Sequence, residues 1–138
     1  MTPSKSTRDV VFPAARQALY ERYRYSPAVR SNGLLFVSGQ VGSREDGSPE
    51  PDLEAQVRRA FMNLNGILEA AGCTFNDVVD VTVFIVDPEK NFEKAWAAVA
   101  EFWGEAPYPS VTVPGVTWLA GFDFEIKVIA QLPKDKIA

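Results

Sequence analysis

A shortage of helix relative to apolar strand is what most constrains this chain. The nine residues 78–86, VVDVTVFIV, alternate with a period of two: Val79, Val81, Val83 and Ile85 on one face, Val78, Asp80, Thr82 and Phe84 on the other. Residues 33–41, GLLFVSGQV, read as a second strand, turned in by Ser31-Asn32-Gly33. Both strands are apolar on both faces. Only two stretches have a clear helical period. In the first, Leu53, Val57, Ala60, Phe61, Leu64, Ile67, Leu68 and Ala71 recur every three or four residues, with Asp52 placed to cap the start and Gly72 the end. Asp87-Pro88 opens the second, whose stripe is Phe92, Ala95, Trp96, Val99, Phe102 and Trp103. Between them, Thr74-Phe-Asn-Asp77 has the capping-box pattern of a single turn.

Short strands are expected at 110–113 and 122–130, the latter with Phe124, Ile126, Val128 and Ala130 inward and Asp123, Glu125, Lys127 and Ile129 outward. A weaker N-terminal strand is expected at 10–12 or 24–29. The fold class that follows is α+β, a mixed β-sheet with two helices on one face. Two helices leave the second sheet face bare. Apolar surface left in water costs about 25 cal/mol per Å², and such a face marks an interface. A homo-oligomer is therefore expected, with pockets at its junctions.

The 138 residues contain no repeat, and the polar stretch 42–51 is a loop rather than a linker. We divide the chain into a basic N-terminal arm, 1–22, and a single domain, 23–138. Residues 1–30 hold Lys5, Arg8, Arg16, Arg22, Arg24 and Arg30 against Asp9 and Glu21, so the remainder carries −8 of the net −4. That arm reads as a solvated charge run, and a nucleic-acid partner is not expected. No secretory leader or membrane span is visible, which makes the cytoplasm the expected location and a membrane partner unexpected.

Histidine is absent, which excludes Ser-His-Asp and Cys-His mechanisms and histidine-ligated metals. No metal-ligand spacing is present, so no metal site is expected. The lone Cys73 has no cationic neighbour in sequence to activate it. Proton transfer then falls to Asp, Glu, Tyr, Lys or Cys. Glu125 stands out, a carboxylate in the middle of an apolar strand on the face away from the helices. Tyr25, in the dense Tyr20-Glu-Arg-Tyr-Arg-Tyr25, offers a phenol to a ligand, and Gly39 after Ser38 opens a strand end to close approach.

The stretch Tyr25-Ser-Pro-Ala-Val-Arg-Ser-Asn-Gly-Leu-Leu-Phe-Val-Ser-Gly-Gln40 resembles the RidA/YjgF family, also called the L-PSP endoribonuclease or translation initiation inhibitor family. The likeness continues through Asp52-Leu-Glu-Ala-Gln56, Asn63-Leu64, Leu68-Glu-Ala-Ala-Gly72, Asp77-Val-Val-Asp-Val-Thr82, Pro107-Tyr-Pro109 and Phe124-Glu-Ile-Lys-Val-Ile-Ala130. It implies a chorismate-mutase-like fold and a homotrimer with a central barrel and ligand clefts between subunits. It also implies cofactor-free hydrolysis of enamines and imines to 2-oxo acids and ammonia. Carried over by motif, the tyrosine falls on Tyr25, the strand-end pair on Ser38 and Gly39, and the glutamate on Glu125, making Glu125 and Tyr25 the candidate catalytic residues. The family's carboxylate-binding arginine falls on Val111, its cysteine on Val113, and an asparagine of the second helix on Trp96. Arg24 is the cation nearest to Tyr25 in sequence. Ser38, Gly39, Arg24, Val111 and Trp96 are thus the candidate ligand contacts.

This puts the chain in an arginine-lacking branch, and the favoured expectation is a trimer that binds a small metabolite in its clefts. A cofactor-free deaminase, an imine or enamine hydrolase, is the alternative. An endoribonuclease comes last, because the chain is acidic and shows no aromatic-basic platform for RNA.

Overall fold

The computed structural model describes residues 4–13 and 17–134. Arg16 of the basic arm lies outside the described residues. Eight strands form one sheet, β1 (Asp9–Val11), β2 (Ala28–Ser31), β3 (Leu34–Val37), β4 (Gln40–Val41), β5 (Val78–Val86), β6 (Ser110–Thr112), β7 (Gly115–Val116) and β8 (Phe124–Gln131). Three helices accompany them: α1 (Gln17–Tyr23), α2 (Leu53–Ala70) and α3 (Pro88–Trp103). The strand order is β1-β2-β3-β8-β5-β6, with β4 on β8 and β7 on β5. Pairing is antiparallel except where β5 meets β6 and β7. The class is α+β with a mixed sheet, as expected.

Local signals in α2 are realised closely. Asp52 accepts a hydrogen bond from the Ala55 N–H at 2.7 Å. At the other end Gly72 is left-handed (φ 77°); its N–H reaches the Glu69 carbonyl while the Cys73 N–H reaches that of Leu68. That is a Schellman termination, which a side-chain-free residue in this conformation permits. Thr74 and Asp77 form the capping box of a 3₁₀ turn, Phe75–Asp77. The α2 stripe is buried from Val57 to Leu68. Helices α2 and α3 pack on one another and on the sheet face carrying Val81, Val83, Ile85, Phe124, Ile126, Val128 and Ala130, which are buried.

Four expectations need correction. Among the described residues there is a third helix beyond the two, α2 and α3, expected on one face: α1 has too short a stripe to show periodicity, and its buried Tyr20 sits edge-on to Phe12 and Tyr25. Of the two positions offered for an N-terminal strand, β1 falls on 10–12, shifted by one residue, while β2 overlaps 24–29 only at residues 28 and 29; the two strands pair with each other. In β5 a bulge between Val78 and Asp80 buries Val78 and turns Val79 outward, reversing the faces read for those two residues. Within α3, Phe92 is exposed rather than core, stacked on Trp96 at 5.6 Å.

The sheet face opposite α2 and α3 holds Phe36 beside Ile129, and Phe84 beside Glu125. Phe36 is 39% exposed. No helix among the described residues is long and apolar enough to cross a membrane.

Candidate functional site

The expected strand 33–41 breaks into β3 and β4, and the break builds half of the site. Phe36 pairs with Ile129, yet Gln40 pairs with Ile126. Two residues, Ser38 and Gly39, therefore stand opposite the one residue Lys127, which defines a β-bulge. The extra residue restores burial to Gln40 and puts Gly39 under Glu125. A Cβ on Gly39 would lie 2.7 Å from the Glu125 Cδ. The absence of a side chain at Gly39 lets the carboxylate lie over it in this position.

Glu125 is flanked across the sheet by Val41 and Phe84, both apolar. Burial pushes its carboxyl pKa up, and the charge of Lys127 pulls partly against that. The Lys127 ammonium donates to the Val37 carbonyl at 3.3 Å, and among the described residues no ion pair holds Glu125. A half-buried carboxylate with a raised pKa is suited to accept a proton from water.

Ser38 ties this point to Tyr25. Its hydroxyl donates to the Ser26 carbonyl at 2.6 Å and its N–H to that of Pro27 at 2.9 Å. The hydroxyl is thus committed to holding the 25–27 segment against the bulge. Tyr25 rests edge-on against Tyr20, ring centroids 4.8 Å apart, and its N–H bonds the Tyr20 carbonyl. Arg24 is left-handed (φ 58°) and exposed, and forms no ion pair among the described residues.

Trp96 and Val111 lie elsewhere, together. They line a pocket of about 340 Å³ with Ala100, Trp103, Gly104, Tyr108 and Pro109. Trp103 is held edge-on against Phe61 and Phe75 at 5.4 and 6.0 Å. Among the described residues, no Lys, Arg, Asp or Glu lines this pocket. Val113, by contrast, packs half-buried against the core. Sequence reading missed Trp103, Ala100 and Tyr108 as pocket walls. Trp103 could have been found from Trp96, seven residues and two turns before it.

These two groups do not form one site within a chain. Val111 pairs with Val81, whose side chain points to the helix layer; Glu125 pairs with Phe84 on the opposite face. Two strand spacings across and three residues along put their Cα atoms about 14 Å apart. Cys73 is buried, its thiol pushed up by desolvation and directed at the Gln131 carbonyl, apart from both groups.

A protein-family model described as endoribonuclease L-PSP matches residues 15–132. The RutC family protein YjgH of Escherichia coli K12 is 61% identical over 127 residues, covering 92% of this chain and 97% of that protein. A solved structure of protein YjgH superposes with a TM-score of 0.88 at 60% identity, covering 94% of this chain and 99% of that one. At greater distance, the 2-iminobutanoate/2-iminopropanoate deaminase of Dermatophagoides farinae is 31% identical over 100 residues, 69% of this chain and 74% of that protein.

Proposed function

Because the chain belongs to the endoribonuclease L-PSP family, the RidA/YjgF family with its chorismate-mutase-like fold, we propose that it is a homotrimer whose inter-subunit clefts bind a small metabolite. In this reading the sheets meet in a central barrel through the face of Phe36 and Ile129. The Val111 pocket of one copy then faces the Glu125 bulge of the next. Support comes from the separation of the two groups, which a neighbouring copy would bridge.

The observation that carries a binding role is the apolar lining at Val111. The family pattern puts an arginine there for a substrate carboxylate, and losing such a charge-assisted pair costs about 1.5–3 kcal/mol of binding. Arg24, at the end of α1 beside Tyr25, supplies cationic character from the other half of the cleft. Tyr25 offers its phenol, and Gly39 makes room for the Glu125 carboxylate.

One observation favours deaminase chemistry as a second reading: the raised Glu125 carboxyl. Glu125 would take a proton from a water as its oxygen adds to the imine carbon. The imine nitrogen, protonated as an iminium, becomes the amine of an amino alcohol. Glu125 would return its proton to that amine, the C–N bond would break to release ammonia, and the hydroxyl proton would pass to water to leave the carbonyl. The two readings separate on ammonia release from freshly generated 2-aminoacrylate. A binding protein leaves the spontaneous rate unchanged. A deaminase raises it, and Glu125→Ala removes the increase.

A further inference from the structure

We propose that the ligand of this protein carries a neutral, planar aromatic group and that this group seats in the pocket walled by Trp96, Trp103 and Tyr108. The inference rests on reading that pocket as a ligand site, and it adds the chemical class.

Three observations carry it. First, the walls are rings, with Ala100, Pro109 and Val111 completing the lining. A ligand ring buries area against them and also gains stacked or edge-on contact, an advantage of about two- to tenfold in affinity over a saturated ring of the same size. Second, among the described residues the pocket's own lining holds no Lys, Arg, Asp or Glu, so a carboxylate or ammonium seated between the rings would lose its water with no partner in that lining; the charges of Arg24 and Glu125 in the proposed cleft are left to the rest of the ligand. Third, two of the three ring walls are held in place by neighbouring rings. Trp103 is wedged against Phe61 and Phe75, and Trp96 is stacked on Phe92 with an interplanar angle of 17°. Walls so held reduce the ordering cost of binding. The volume of about 340 Å³ exceeds the roughly 150 Å³ that suffices for benzene. It accepts one or two fused rings.

All the lining residues come from one chain, so the class of ligand is testable whatever the oligomeric state. The test follows the indole N–H resonances of Trp96, Trp103 and Trp118 by NMR as the full-length protein is titrated with indole, phenol, cyclohexanol, benzoate and benzylamine. Indole and phenol are expected to shift Trp96 and Trp103, not Trp118, with phenol two- to tenfold tighter than cyclohexanol and both charged probes weaker still. Val111→Arg should reverse the order of phenol and benzoate. If cyclohexanol or a charged probe binds wild type best while the same two resonances move, the aromatic class is overturned although the pocket remains a ligand site. If no probe moves Trp96 or Trp103, the class and the reading of the pocket fail together.

Discussion

Two glycines three residues apart, Gly39 and Gly42, face different neighbours and will answer the same substitution differently. A Cβ at Gly42 would lie 2.7 Å from the backbone carbonyl carbon of Gln56, inside α2. A helix backbone cannot step aside, so Gly42→Ala is expected to cost about 1–3 kcal/mol, or more, in urea unfolding. At Gly39 the obstructing atoms belong to the Glu125 side chain, which can rotate away. Gly39→Ala should therefore cost less than about 1.5 kcal/mol while displacing the carboxylate that the site uses. Glu125 itself has a pH signature. Its folded pKa lies above its unfolded value, so the native state holds more protons as the pH rises past the ordinary carboxylate range. Stability then falls with rising pH until the raised pKa is passed. Glu125→Gln should be more stable than wild type at pH 7.5, and the difference should disappear below the usual carboxylate pKa. Denaturant midpoints at pH 7.5 and pH 3.5 check the sign.

At the level of elements, what was legible in sequence was what is encoded locally. The α2 caps, the Thr74–Asp77 box and the inward set of β8 each depend on residues within a few positions of one another. The two bulges do not. Each is set by the register against a neighbouring strand: a glycine at 39 inside the strand pattern is compatible with a bulge, but only the register shows that Ser38 and Gly39 share one partner, and nothing within β5 announces that Val79 turns outward. The pocket likewise needs α3 and the 108–111 segment brought together: Trp96 and Val111 are named by resemblance, Trp103 is within reach of Trp96 by helical spacing, and Tyr108 has no signal. Packing between α2 and α3 supports its wall. Phe61 is fully buried, stacked on Phe102 at 4.3 Å and edge-on to Trp103. Phe61→Ala is expected to cost about 3–5 kcal/mol in thermal or chemical unfolding, and to weaken binding of any probe that moves the Trp103 resonance.

For the whole molecule, the sequence already implied an uncovered sheet face, since two amphipathic helices cannot cover strands that are apolar on both sides. The fold keeps that face open at Phe36, Ile129 and Phe84 while α2 and α3 cover the other. The proposed trimer predicts a solution mass three times the 15.2 kDa of the chain. Phe36→Glu, which puts a charge into the proposed contact, should reduce that mass in sedimentation velocity while leaving the circular dichroism spectrum unchanged. The central claim is narrower: a family scaffold has exchanged a carboxylate anchor for an apolar, aromatic pocket at Val111. Its most direct test is ammonia release from 2-aminoacrylate by wild type and Val111→Arg under identical conditions. The expected result is the spontaneous rate with wild type and acceleration with Val111→Arg. Acceleration by wild type that Val111→Arg leaves unchanged or lowers would contradict the claim.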